Sequence, residues 1–225
     1  MNQPPLSRLY RHCASGLMLA ALCACSSLRP TATPPPSFYS LDAAAAPGAT
    51  QPVKPTPAPT GAPTLIINPP HAAAGFDSQR IIYTRAAQKL EYFAHSEWVD
   101  PPARMISSLV VGALEQSGVF RAVVSAPGSA SGELRLETEV LLLQQEFASS
   151  PSQVRFALRA YLAEDGTRRV VATRDFEALV AAPSDDPYGG VRAANMAVQN
   201  VLEQLTAFCA QTVAGWQPSR RVGSR

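Results

Sequence analysis

The stretch "ELRLETEVLL", residues 133–142, alternates apolar and polar residues. Its apolar positions are Leu134, Leu136, Val140 and Leu142, and the charged positions between them are Arg135, Glu137 and Glu139. Successive side chains of a β-strand point to opposite faces of the sheet. The alternation therefore predicts a strand with one face in the core and the other in water.

The next two stretches extend this strand into an antiparallel sheet. "QVRFALRAYL" (153–162) alternates in the same way, with Arg155 and Arg159 on its polar side. Asp165-Gly166 is a turn signal, after which "RRVVATRDFEALV" (168–180) is predicted to return as the partner strand. The acidic side of the first strand would then face the basic side of the second, at roughly a few tenths of a kcal/mol per exposed pair. These arginines therefore need no ligand to explain them.

A helix is predicted before this β block. It begins at Asp100-Pro101-Pro102, with Asp100 as the capping acid, and ends before Gly118. Its apolar positions are Ile106, Leu109, Val110, Ala113 and Leu114. This spacing places one face of the helix in the core.

A longer helix is predicted after the β block. Its apolar positions recur every three or four residues at Val191, Ala194, Val198, Val201, Leu205, Phe208 and Thr212. The stripe would be ~30 Å long and is predicted to pack along the chain's own sheet. The alternative is a seam between copies of the chain in a homo-oligomer. Asp185-Asp186-Pro187 is an acidic helix start that complements the dipole, which explains this acid pair better than general acid and base chemistry does.

Shorter β segments precede the first helix. They are "SFYSLD" (37–42), with a strand near 38–41, "TLIIN" (64–68), "SQRIIYTR" (78–85) and "KLEYFAH" (89–95). Together with the β block they predict an α/β fold, a single domain in which a mixed, largely antiparallel sheet is covered by two main helices.

The N-terminus predicts export and lipid attachment. Arg8 and Arg11 precede the apolar segment "CASGLMLAAL" (13–22), as in a secretory signal. The following Leu22-Cys23-Ala24-Cys25 resembles the bacterial lipobox, in which the cysteine receives diacylglycerol and an N-acyl chain. Cys25 fits the lipidated position, because modification of Cys23 would place Leu22 where a small residue is needed. The alternative is an ordinary signal peptide with incidental cysteines.

These features divide the chain into four parts. They are a signal peptide (1–24), a lipid anchor and Ala/Pro-rich tether (25–63), the α/β domain (64–214) and a flexible basic tail (215–225). Residues 30–70 hold 12 of the 21 prolines, which predicts an extended tether. Cys13 and Cys23 would leave with the signal, and Cys25 would carry lipid. Cys209 then remains without a partner for an intramolecular disulfide.

Charge and motifs exclude several functions. Of 19 Lys and Arg residues, Arg8 and Arg11 precede the lipobox, so 17 remain to match the 17 Asp and Glu residues, and a nucleic-acid partner is not expected. His71 and His95, the two histidines after the signal, have no metal-ligand spacing. The sequence contains no Gly-x-Ser-x-Gly elbow and no phosphate-binding loop. We therefore expect neither an enzyme nor a metal or diffusible cofactor; a pocket joining either histidine to an acid would revive a hydrolase.

A family resemblance adds to this. The order lipobox, "FYSL" (38–41), "FDSQRIIY" (76–83), "LEYFAHSEWVDPPARM" (90–105), a β block and "SDDPYGGVRAANMAVQNVLEQL" (184–205) resembles the ABC-type transport auxiliary lipoproteins. The resemblance implies a mixed sheet covered by helices and an accessory role in the outer membrane, facing the periplasm. The implied partners are an ABC transporter and MCE-domain proteins that move lipids or other hydrophobic compounds. The family's sorting rule makes Ser26, after Cys25, a signal for the outer membrane.

Two functions remain open. In the first, the domain is a docking or assembly module, whose candidate partner surface is Tyr92, Phe93 and Trp98 together with the apolar helix stripe. In the second, it is a lipid-binding lipoprotein that carries a hydrophobic ligand itself. The second function requires an apolar cavity between sheet and helices.

Overall fold

A computed structural model describes residues 35–42, 57–128 and 130–218. All its strands and helices belong to one structural unit that begins at Pro36. The strands are β1 (Ser37–Tyr39), β2 (Thr64–Ile67), β3 (His71–Ala72), β4 (Arg80–Ala86), β5 (Lys89–Trp98), β6 (Ala122–Ser125), β7 (Leu134–Glu146), β8 (Gln153–Glu164) and β9 (Val170–Ala181). The helices are α1 (Pro102–Gln116) and α2 (Pro187–Gly215).

Strand β7 organises the sheet, because both of its edges are paired. Along one edge it runs antiparallel to β8 from Leu134 to Glu146, and β8 in turn pairs antiparallel with β9. Along its other edge it pairs in parallel with β2, β3 and β4 in succession. Strand β6 continues the sheet from β2, while β5 and then β1 continue it from β4. The longest pairings are antiparallel, so the predicted mixed, largely antiparallel sheet is confirmed.

One detail of the β7 pattern was predicted wrongly. Leu134, Leu136 and Val140 are buried as expected, but Leu142 is only half-buried and Leu143 is in the core. The pairing with β8 shifts by one residue between Val140 and Leu142. Such a bulge reverses the alternation beyond it.

The predicted meeting of acidic and basic sides is seen at Arg159 of β8, which lies 3.9 Å from Glu139 of β7. Arg155 instead lies 2.9 Å from Glu146, beyond the stretch predicted for the first strand. The shorter contact of Arg159 is to Asp175 on β9, at 2.7 Å. These arginines are therefore satisfied within the sheet.

Helix α2 packs along β8 and β9, as predicted from its stripe. Of the predicted stripe, Val191 through Phe208 is buried at each position, whereas Thr212 is half-buried and its hydroxyl donates to the Phe208 carbonyl. Phe208 stacks edge-on against Phe176 of β9, with 5.6 Å between the ring centroids. The stripe is thus covered by the chain's own sheet.

The two acids before α2 have different roles. Asp186 is the N-cap, and its carboxylate accepts a 2.7 Å hydrogen bond from Gly189 N. Asp185 instead accepts a 2.7 Å hydrogen bond from Ser152 N in the β7–β8 connection. Capping, predicted for the pair, therefore holds for Asp186 alone.

Helix α1 keeps its predicted extent but not its predicted cap. The N-cap position is Pro101, which makes no side-chain cap bond, and Asp100 forms an ion pair with Arg104 at 3.1 Å. The two prolines shift the helix start one residue past Asp100, beyond the reach of a capping bond. At the other end Gly118 has φ of +67°, which glycine adopts without strain.

Candidate functional site

The predicted lipid-attachment site lies outside the described residues. Cys25 and Ser26 fall there, as do the signal peptide, residues 27–34 and 43–56 of the tether and residues 219–225 of the tail. The described N-terminal segment is tied to the domain at β1, which pairs in parallel with β5. At the end of β1, Tyr39 O accepts a 2.8 Å hydrogen bond from the N–H of Val99, the residue after β5. An anchor upstream would therefore act on the domain through β1.

Asn195 of α2 holds the end of this segment. Its Oδ1 accepts a 2.6 Å hydrogen bond from Asp42 N, and its Nδ2 donates to the Ser40 carbonyl at 3.3 Å. Between these two bonds Leu41 enters the core, where it is 6% exposed. Residues 40–42 are thus fastened across the start of α2.

A groove of about 600 Å³ opens between α1 and α2 on the outside of the helix layer. Leu109 and Ala113 of α1 are half-buried and supply accessible apolar lining, and Val198 and Leu202 of α2, which are 2% and 6% exposed, lie at its floor. The other lining residues are Asp42, Ser108, Gly112, Gln116, Ser117, Val119, Asn195, Gln199, Glu203, Thr206, Ala207 and Ala210. Leu109 and Ala113 were predicted as core, but they are half-buried because they face this groove.

The described residues that line the groove include two acids. Asp42 and Glu203 line it, and both are exposed. Among these described lining residues there is no lysine or arginine. An apolar floor with acidic edges suits a protein segment better than the phosphate of a phospholipid, since anionic groups are usually bound by cationic side chains or backbone N–H groups.

The space between sheet and helices is filled by side chains. Phe156, Leu158 and Leu162 of β8 and Val201 of α2 are each 0% exposed. The void beside Gly190, where α2 crosses the sheet, is about 10 Å³, room for at most one water. The cavity required by a carrier of hydrophobic ligands is therefore not formed at these positions.

The three residues predicted as a partner surface do not form one surface. Trp98 is 3% exposed and belongs to the core, which corrects its assignment. Tyr92 is 53% exposed, with the guanidinium of Arg80 4.0 Å from its ring centroid. Phe93 is half-buried on the opposite face of β5, 4.6 Å from the ring of Tyr83. Alternation along a strand separates Tyr92 from Phe93.

Phe93 belongs to a cluster of aromatic rings that the sequence did not indicate. Its ring lies 6.5 Å from that of Phe147, which in turn lies 5.6 Å from Tyr83. Phe147 follows β7, and Arg85 of β4 lies 4.9 Å from the Tyr83 ring centroid. The cluster forms only because β4 pairs with the end of β7.

The groups whose pKa values are shifted serve mainly to hold the sheet and the core together. Burial raises the pKa of Glu146, but hydrogen bonds from Arg155 and Gln144 outweigh it and lower the pKa overall. The hydrogen bond from Arg159 lowers the pKa of Asp175. Burial raises the pKa of the Cys209 thiol to about 12, which makes it unreactive near neutral pH.

The described residues contain neither a metal-binding cluster nor a membrane-spanning helix. No group of three or more His, Cys, Asp and Glu side chains is placed to hold a metal ion within residues 35–42, 57–128 and 130–218. In these ranges no helix has the length and hydropathy needed to cross a membrane.

Comparison with known families decides the assignment. The family model of the ABC-type transport auxiliary lipoprotein component matches residues 39–206. The chain belongs to this family. The ABC-type transport auxiliary lipoproteins are transport components and lipoproteins, so membrane anchoring and an accessory role in transport come with membership.

Solved structures support the fold of this auxiliary lipoprotein. Protein XCC0632 from Xanthomonas campestris is 26% identical, and the match covers 78% of this chain and 96% of that one with a TM-score of 0.65. An uncharacterized protein, 11% identical, matches over 78% of this chain and 99% of its own with a TM-score of 0.59. No curated protein matches significantly.

Proposed function

We propose that this chain is an outer-membrane accessory lipoprotein of an ABC/MCE-type system that moves lipids or other hydrophobic compounds between membranes. Diacylglycerol and an N-acyl chain on Cys25 anchor it, Ser26 directs it to the outer membrane, and the domain faces the periplasm. There it acts as a docking or assembly module for MCE-domain and ABC transporter components. The proposal develops the family assignment.

The observation that favours docking over carriage is the packing of the domain. The interior between β8 and α2 is closed at Phe156, Leu158, Leu162 and Val201, whereas the apolar groove between α1 and α2 is open. A carrier must enclose most of its ligand's surface. A docking module needs an accessible apolar surface with polar edges, which this groove provides.

Affinity purification of the acylated chain from crosslinked cells tests the function. We expect MCE-domain and ABC transporter components to be recovered, and their absence would refute the proposal. Ala207→Trp fills the groove at an exposed lining position and should reduce recovery. Met196→Trp, at a 46% exposed position outside the groove lining, is the control and should leave recovery unchanged.

The carrier remains the alternative, because a groove of about 600 Å³ has room for an acyl chain. Native mass spectrometry of the purified protein separates the two functions. Lipid bound at a stoichiometric ratio, and lost in Ala207→Trp but not in Met196→Trp, would favour carriage. Lipid-free protein would favour docking.

A further inference from the structure

The β4–β5 hairpin has a buried base and an exposed tip. Ile81, Ile82 and Trp98 at the base are buried, whereas residues 85–90 at the tip are all exposed. The strands are joined by Ala87 and Gln88, the latter with φ of +64°. Leu90 is 50% exposed and Tyr92 is 53% exposed on one face of β5.

The cations of the hairpin lie beside these apolar groups. Strands β4 and β5 carry Arg80, Arg85 and Lys89 against Glu91, which pairs with Lys89 at 3.2 Å, and Glu97, which lies opposite Arg80 at the base of the hairpin. Arg85 and Lys89 are thus the cations at the tip. Arg80 and Arg85 each lie over a tyrosine ring, at 4.0 Å and 4.9 Å from the centroids. From residue 26 onward the whole chain, this hairpin included, is balanced in charge.

We propose that the tip of this hairpin contacts the surface of an anionic phospholipid bilayer. Leu90 and Tyr92 enter the headgroup region, where amphipathic aromatic side chains are enriched. Arg85 and Lys89 lie against the lipid phosphates, as basic groups do at anionic membranes.

The arrangement of the rings favours a bilayer over a protein partner. Tyr92 lies on one face of the hairpin, and Tyr83 and Phe93 lie half-buried on the other. A protein surface would cover one of these faces. A headgroup layer surrounds an inserted hairpin on both faces, so the rings of Tyr92, Tyr83 and Phe93 would all contact the headgroup layer. The chain also belongs to a lipoprotein family, which brings a membrane within reach.

A nitroxide label on Leu90→Cys in the full acylated chain tests the contact. Cys209 is fully buried and does not compete for the label. The chain is reconstituted on vesicles of phosphatidylcholine alone or with phosphatidylglycerol, and collisions of the label with oxygen and with a water-soluble nickel reagent are measured. We expect collisions with nickel to fall several-fold when phosphatidylglycerol is present. A Tyr92→Cys label should show the same change, and a label on Leu179→Cys, a 47% exposed leucine on β9, should not.

Charge variants test the role of the cations. Arg85→Gln with Lys89→Gln should abolish the fall in nickel collisions, whereas Arg104→Gln with Arg192→Gln, exposed arginines outside the hairpin, should retain it. Labels at 90 and 92 as accessible to nickel as the label at 179 would overturn the proposal. Equal protection on phosphatidylcholine alone, or dipolar broadening from a second copy, would also overturn it. None of these outcomes depends on whether MCE or ABC components are recovered, so the transport role stands or falls separately.

Discussion

The side-chain oxygen of Asn195 accepts a 2.6 Å hydrogen bond from the backbone N–H of Asp42, 153 residues earlier in the chain. The same amide donates to the Ser40 carbonyl and, within α2, to the Val191 carbonyl at 3.0 Å. One side chain therefore holds the segment that leads to the predicted anchor against the helix that lines the groove.

Asn195→Ala should loosen residues 40–42 without unfolding the domain. The variant removes the acceptor for Asp42 N, at a cost of about 1 kcal/mol in the free energy of unfolding. Hydrogen exchange should show a faster rate for the Asp42 amide and little change in β8. Asn200→Ala, at an exposed position of the same helix, is the control. Unchanged exchange at Asp42 would mean that β1 and Leu41 suffice to hold the segment.

Gly189→Ala should destabilise the domain strongly. A Cβ at this position would meet the backbone carbonyl oxygen of Ser184 at a distance that real Cβ atoms do not reach. Equilibrium unfolding in urea should show a loss of about 1–3 kcal/mol or more. Gly112→Ala is the matched control, because the nearest atom to its Cβ is the end of the Gln116 side chain at 3.9 Å. It should stabilise α1 by about 0.5–1 kcal/mol.

Asp185 should make stability depend on acid pH. Hydrogen bonds from Ser152, the backbone N–H first, lower the pKa of Asp185 below its ordinary value of 3.8. The folded state therefore favours the ionised form, and this stabilisation is present above 3.8 and lost as the pH falls through the lowered pKa. Asp185→Asn should be less stable than the parent chain at neutral pH, and the difference should shrink below about pH 4. Urea midpoints across this range measure it. Asp77→Asn, at an exposed site, is the control, and a difference that stays constant with pH would contradict the assignment.

Cys25→Ser should abolish lipid attachment, because the thiol sulfur is the atom that forms the thioether to diacylglycerol. Cells grown with labelled palmitate should show label on the parent chain and none on the variant, and the variant should leave the detergent phase. Cys209→Ser removes the other cysteine predicted to remain in the mature chain and should keep the label. A labelled Cys25→Ser chain would refute this position as the attachment site.

Local periodicity predicted the elements well. The stripe of α2 and the alternation of β8 report which face is buried, and burial repeats with the geometry of each element. Periodicity did not predict that Leu143, rather than Leu142, lies in the core. This placement follows from the bulge opposite β8, and such a shift is set by the pairing partner rather than by the strand itself.

The candidate surfaces were predicted less well. Tyr92, Phe93 and Trp98 are close in sequence, but the strand places the first two on opposite faces and packing buries the third. Leu109 and Ala113 have the same spacing as the core positions of α1, yet they face the groove. Helical spacing gives the direction of a side chain, and only the neighbouring helix decides whether that direction is covered.

The two helices and the long strands of the β block depend on neighbours along the chain and could be read from the sequence, whereas the attachment motif around Cys25 and the proline-rich tether stay predictions. The tertiary structure alone decided the features that join distant residues. These are the docking of residues 40–42 on Asn195, the groove between α1 and α2 and the exposed tip of the β4–β5 hairpin. A local pattern records the period with which buried positions recur along one element. A surface depends instead on which distant elements pack against that element.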